Sequence, residues 1–434
     1  MRQYINTGLG LALIAVVGLT TACEDQLQTR TPTEIQDDAV DPVQDAPTFS
    51  NSAWQNYVQA FSTFALYGAW FTNEMRVGDT FPTRNEFGRR LIDDRNGTMN
   101  GSLWTPITRA IASAEDGMVL LEELGPTSIH NVRFQLTSAF AGLTMAEHFC
   151  TGVIRRGPDA PTPELTTAQM LDHAIERFQQ VIQNSPDADM ANAARVGLAR
   201  ANFFAGNYGA VAQHDGQVPA DFVFNAVYVD DTGNRGRLGN TVYGFSGRTA
   251  SRESGVVGPE WRELGQGVDE TEEAPFADQE DGDPRVSWLY DGKTAQDGVH
   301  EYVYQTTHDG WDAPLPIASR LELDYLIAQA AWAQGNSAPA LAVIAQNNPG
   351  FVSTDDNEIL AELLYQKGLD FWMTGRRMAD WRWNREHIGT DAGVTPFLLG
   401  PGDEYYKPEV GGMSDQTCFP LPFNEYSRND DIQR

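Results

Sequence analysis

Residues 368–383, GLDFWMTGRRMADWRW, set three tryptophans among three arginines, a composition that in a basic chain could stack bases and hold phosphates. Here 60 acidic residues stand against 30 basic ones, a formal charge of −30, and so large a negative field repels phosphate before any local patch can act. Nucleic acid is therefore excluded as a partner. Paired carboxylates such as Glu272 and Glu273, or Asp281 and Asp283, have the residue types of glycoside hydrolysis, but so acidic a chain makes such pairs inevitable and their plain reading is a solvated loop. No G-x-S-x-G, H-E-x-x-H or P-loop pattern occurs. His130, His148, His173, His214, His300, His308 and His387 have no metal-ligand spacing with cysteine. The run DQEDGDP at 278–284 lacks the EF-hand spacing and its closing Glu. No catalytic residue, metal or cofactor is expected, which leaves non-covalent binding as the chemistry to look for.

Cysteine adds covalent chemistry at the start of the chain. Arg2 precedes an apolar run at 8–19, GLGLALIAVVGL, too short to span a bilayer, and Thr21 and Ala22 stand directly ahead of Cys23. This resembles a bacterial lipoprotein signal: residues 1–22 are expected to be removed and Cys23 to be acylated. An ordinary secretory signal, with Cys23 incidental, is the alternative. Acyl chains contribute about 0.8 kcal/mol per buried methylene, so several would hold the chain on a membrane. Residues 23–47 are acidic and proline-punctuated and read as a tether. Cys150 and Cys418 then remain, an even pair in an exported chain, predicted to be bridged rather than two separate buried thiols. No later stretch is apolar and long enough to cross a bilayer.

From residue 48 to 434 the elements that must position any site are mostly helical. Trp54, Val58, Phe61, Ala65 and Ala69 recur at helical spacing in 52–75, as do Trp104, Ile107, Ile111, Ala114, Met118 and Leu121 in 103–124. Segment 131–150 is rich in Phe and Ala, and 166–184 carries a stripe from Leu171 to Ile182 that Pro186 ends. ANFFAGNYGA at 201–210 and AAWAQGNSAP at 330–339 repeat one pattern, with small residues for close crossing and Gly-Asn for a left-handed cap. These helix pairs resemble tetratricopeptide pairs. Between them lies a Gly- and Asp-rich insertion, 214–318, in which FVFNAVYV (222–229) and EYVYQT (301–306) read as strands or extended loops.

Three segments carry a resemblance. DFWMTGRRMADWR supplies Asp370, Gly375, Arg377, Asp380 and Arg382; DPRVSWLY supplies Asp283, Pro284 and Arg285; CFPLPFNEYSRND supplies Pro420, Pro422, Asn424 and Glu425. With Trp104, Ile107 and Ile111 in an early helix, they resemble, in the same order, motifs of the SusD/RagB family of outer-membrane nutrient-binding lipoproteins. Glu115 stands where that helix usually has Asn, Asp370 replaces Glu, Leu369 an Arg and Met378 a Trp, so the chain reads as a divergent member. The resemblance implies a single SusD-like domain, a helical superhelix with tetratricopeptide-like helix pairs and a loop-rich insertion. Within 368–383, Gly375 is expected to end one helix in a left-handed cap, Arg377 to pair with Asp380, and the arginines to lock helices together.

The function implied is a surface lipoprotein that captures an oligomeric nutrient, most often a glycan, for a SusC-like TonB-dependent transporter. A scaffold binding a protein partner is the competing reading. Sugar capture needs flat aromatic faces beside groups that read hydroxyls. Candidates are Trp261, Trp288, Tyr290 and Trp311 in the insertion, with Phe81 and Arg84 after the first helix.

Overall fold

A computed structural model describes residues 41–387, 407 and 410–432. Cys23, the signal segment and the tether up to residue 40 lie outside the described residues.

The first helix runs Pro42–Phe71, starting ahead of the tether boundary set at 47. Its tyrosines, phenylalanines and alanines from Tyr57 to Phe71 are almost wholly buried, so it forms an axis of the core rather than a surface layer. Thr105–Leu120 packs on Ile129–His148, that helix on Thr167–Asn184, and that in turn on Ala188–Phe204. Arg320–Ala333 packs on Ala338–Asn347 and also back on Ala188–Phe204, which brings the two related hairpins together. The helix starts are written in the sequence. Thr166 and Gln169 form a reciprocal capping box, Asp187 accepts from Met190 N at 2.8 Å and Ser319 from Glu322 N at 3.1 Å, each satisfying donors that a helix start leaves free. Both expected Gly-Asn caps form, Gly206 at φ 77° and Gly335 at φ 82°.

The insertion is rooted by its own ends. Val223–Ala226 pairs antiparallel with Leu315–Ser319, Val223 opposite Ser319 and Ala226 opposite Leu315. Within it Gly265–Asp269 lies parallel to Asp283–Tyr290, and Tyr304–Gln305 completes the small sheet. The expected strand at 301–306 is thus confined to two residues. A further ribbon folds the insertion back toward the first helix: Arg76 pairs with Val256 and Val77 with Gly255, and Gly78 N donates to Ser254 O at 2.7 Å.

Cys150 and Cys418 form a disulfide, as expected, across 268 residues. No helix among the described residues is long and apolar enough to cross a membrane.

Candidate functional site

The ribbon between 76–77 and 255–256 decides what faces what. It sets the short helix Pro82–Gly88 beside Thr241–Ser246, and the two flank a cleft of about 350 Å³ over one side of the first helix. Gln59, Thr63 and Tyr67, spaced at i, i+4 and i+8, supply its floor; Arg84, Arg235, Arg252, Phe245, Ser251 and Trp311 supply walls.

Each wall residue has a local cause. Arg84 is paired with Asp79, which is fixed in turn by Phe81 N at 2.8 Å and Ser254 Oγ at 2.8 Å. The Arg84 guanidinium lies 4.6 Å from the Phe81 ring and 5.1 Å from the Phe245 ring, close enough for cation–π attraction. Trp311 is held by its backbone, its carbonyl accepting from Asn240 N at 2.7 Å. Its indole lies against Gly239 and Gly244, where a Cβ would come within 2.7 and 2.8 Å of the ring, so glycine is what permits the approach. The Tyr243 ring meets Trp311 edge-on at 5.7 Å and the Arg235 guanidinium lies 5.2 Å from it. Burial pushes the Tyr67 hydroxyl above its ordinary value, with Arg84 opposing, so it remains a neutral phenol.

Three polar atoms on side chains of this lining, Gln59 Oε1, Arg84 Nε and Trp311 Nε1, are buried and have no hydrogen-bond partner among the described residues, which is unusual for buried polar groups.

No protein-family model and no curated protein sequence matches the chain. Solved structures do. A SusD-like carbohydrate binding protein from Bacteroides vulgatus superposes with a TM-score of 0.64 at 14% identity, covering 89% of this chain and 96% of its own. Surface glycan-binding protein A from Bacteroides uniformis gives 0.65 at 11%, covering 88% and 98%. A SusD superfamily protein from Parabacteroides distasonis gives 0.63 at 12%, covering 91% and 99%. The fold is SusD-like.

In this SusD-like body the motif segments serve as fasteners. Arg285 binds Asp283 at 2.6 Å and reaches Asp370 at 3.0 Å and Gln366 at 2.8 Å, so the D-P-R element clamps the end of helix Asp356–Asp370. Gly375 takes φ 80°, the expected left-handed cap. Arg376 binds Glu322 at 2.7 Å and the Ile317 carbonyl at 2.6 Å. Arg382 donates to the carbonyls of Ala146 and Glu147, both at 2.8 Å, capping a helix end. The expected Arg377–Asp380 pair does not form, because Asp380 takes the Lys367 ammonium at 2.7 Å. Arg377 instead lies buried, its guanidinium 4.8 Å from the Trp261 ring.

The six candidate residues separate sharply. Trp261 is wholly buried, its N–H given to Asn73 O at 2.8 Å and its ring 5.9 Å from that of Trp372; it packs the insertion onto the core and offers no ring to a ligand. Trp288 is likewise covered, donating to Arg262 O at 3.0 Å, and lies across Gly267, where a Cβ would fall 2.0 Å from the indole. Tyr290 is 8% exposed, against Phe276. All three are turned inward, Trp261 from the short helix Pro259–Leu264 and Trp288 and Tyr290 from the strand Asp283–Tyr290, each covering apolar surface beneath the insertion. Arg84 and Trp311 line the cleft, and Phe81, 47% exposed, stands beside Arg84. Trp311 is only 6% exposed and its Nε1 is buried, so it gives a ring edge rather than an open platform.

Sequence reasoning missed Gln59, Thr63, Tyr67, Phe245, Arg235 and Arg252. The first three had a weak signal, a stripe at four-residue spacing in which Gln59 and Thr63 are polar in the mostly apolar stretch from Tyr57 to Phe71. Phe245 and Arg235 lie in short helices and Arg252 outside them, spread through the insertion, and no spacing rule gathers them.

Glu115, Ser138 and His173 deserve mention as hydrolase-type residues brought together, with Ser138 Oγ 2.5 Å from Glu115 and 2.9 Å from His173 Nε2. All three are buried, and the serine contacts the acid directly instead of through the imidazole. A nucleophile must be relayed by a base that a third group orients, so this trio is a packing network. Among the described residues no three His, Cys, Asp or Glu side chains are grouped to hold a metal.

Proposed function

We propose that this protein is an envelope lipoprotein, anchored through Cys23 at the outer membrane and exposed at the cell surface, which captures a glycan in the cleft and passes it to a SusC-like TonB-dependent transporter. The observation that carries the reading is the composition of the cleft. Phe245 and the edge of Trp311 stand beside Gln59, Thr63, Thr241, Ser251 and guanidinium groups, and a pyranose needs both an apolar surface for its C–H faces and polar groups for its hydroxyls. The likeness in fold to proteins named for carbohydrate and glycan binding supports the same class.

The test is calorimetry of the full chain, purified in detergent, against a panel of oligosaccharides, with W311A and F81A variants checked for folding by circular dichroism. A bound glycan whose affinity falls about tenfold in W311A, roughly 1.4 kcal/mol, supports capture in this cleft. A chain that binds no glycan yet co-purifies with a transporter supports the scaffold reading instead.

A further inference from the structure

We propose that the glycan this cleft takes is acidic, carrying carboxylate or sulfate groups. The inference rests on the glycan reading above and narrows it. In a chain with twice as many acidic as basic residues, the residues that line the cleft include three arginines and no Asp or Glu. Two of the three have internal counterions outside the lining, Arg84 with Asp79 and Arg235 with Asp230. Arg252 has none among the described residues, and its exposed guanidinium lies 5.7 Å from the Phe245 ring centroid, with that of Arg84 5.1 Å from the same centroid. Arg252 thus brings to this aromatic wall a positive charge without a counterion, and an anionic group in the cleft would supply one while accepting charge-assisted hydrogen bonds.

The overall charge of −30 opposes an anion only from a distance. At physiological ionic strength exposed charges are screened over about 8 Å, so inside the cleft the nearby guanidinium of Arg252, the one of the three without a counterion among the described residues, weighs most. A long polyanion would leave the cleft and meet the acidic surface. Discrete acidic groups on a saccharide backbone fit best.

The experiment compares the full chain's affinity for acidic oligosaccharides with that for neutral ones in the same panel. It includes oligogalacturonate beside its methyl ester, and chondroitin sulfate beside unsulfated chondroitin, so that carboxylate and sulfate are read separately. At least one acidic member is expected to bind about tenfold or more tighter than its neutralised or desulfated counterpart, a gap of roughly 1.4 kcal/mol. R252Q is expected to reduce that ratio several-fold and R252K to keep most of it, and both substitute an exposed residue. A neutral glycan bound as tightly as every acidic one overturns the proposal and leaves the glycan reading standing. An acidic preference that R252Q leaves unchanged overturns the assignment to this cleft. Binding of no member of the panel overturns both readings.

Discussion

Trp104 donates its indole N–H to the Glu425 carboxylate at 2.6 Å, across 321 residues of sequence. The indole is buried and meets the Phe149 ring edge-on at 5.0 Å. Phe149 precedes Cys150, which is bridged to Cys418, and Cys150 N donates to Phe419 O at 2.9 Å while Phe419 N donates to His148 O at 2.8 Å. A hydrogen bond, a disulfide and a short backbone bridge thus fix one C-terminal segment to the ends of two early helices.

Removing the acceptor leaves the Trp104 N–H unsatisfied. E425A is expected to destabilise the chain by about 1–3 kcal/mol, whereas E425Q, which retains an acceptor, costs less. Urea denaturation of the two variants side by side checks this, and equal losses would argue that the acceptor is not what matters.

The disulfide closes a loop spanning 268 residues. Its stabilisation comes largely from restricting the unfolded chain, so C150S with C418S should lower stability by about 2–5 kcal/mol. Adding reductant should shift the wild-type transition and leave the double variant unmoved.

A buried ionic chain ties the helical layers. Arg200 lies 2.9 Å from Glu147 and 2.9 Å from Glu322, and Arg376 2.7 Å from Glu322, with all four side chains buried. E322A would remove the carboxylate paired with the buried Arg376 and leave Arg200 with Glu147 alone. A loss of about 3–5 kcal/mol is expected, visible as a large fall in melting temperature.

Burial drives the pKa of His148 and His173 down to about 3, helped at His173 by Arg177 and Arg156. His148 Nδ1 donates to Thr144 O at 2.8 Å, a contact the neutral ring already satisfies. Glu115, 3.6 Å from His173, is already held by Arg177 at 2.5 Å. The folded state therefore keeps both rings neutral, while the unfolded chain protonates them near the ordinary 6.5. Between those values the unfolded state binds more protons, so stability falls as pH falls, by about 1.4 kcal/mol per pH unit for each histidine. Denaturation midpoints should be nearly flat from pH 7.5 to about 6.5 and decline from there to 4.5, and H173Q should flatten that slope by about one proton; an unchanged slope in that variant would refute the assignment.

Gly375 has φ 80°, and a Cβ there would lie 3.3 Å from Ala65 Cα. The left-handed conformation alone costs a non-glycine residue about 1–2 kcal/mol, and the contact adds to it. G375A should lower the melting temperature with no change in glycan affinity, since Gly375 is not among the residues lining the cleft.

Much of this was legible in order along the chain. Periodicity located the helices of 103–124 and 166–184, whose stripes are a local property, while 52–75 and 131–150 are rich in apolar residues and are buried on nearly all sides. The Gly-Asn caps and Gly375 were legible too, since a left-handed backbone selects glycine whatever surrounds it. The arginines of 368–383 were correctly read as helix locks, but their partners were not: Asp380 took Lys367 in place of Arg377, because which cation arrives is settled by a neighbouring helix.

The aromatic candidates show the same division. Trp261, Trp288 and Tyr290 were legible as a cluster of rings in a loop-rich insertion, yet burial turned them inward. Phe245 and Arg252 belong to segments that composition does not distinguish, and they line one cleft with Gln59 only in the folded chain, in which 76–77 pairs with 255–256.

The amino-acid sequence by itself determined the helical body, its caps and the acidic character, which follow from residue type and short-range spacing, and pointed to the cysteine pairing through an even count in an exported chain. The tertiary structure alone decided which rings are covered, which charges are paired and where three arginines converge. Those depend on contacts between residues far apart in the chain, and a one-dimensional pattern carries no distance across them.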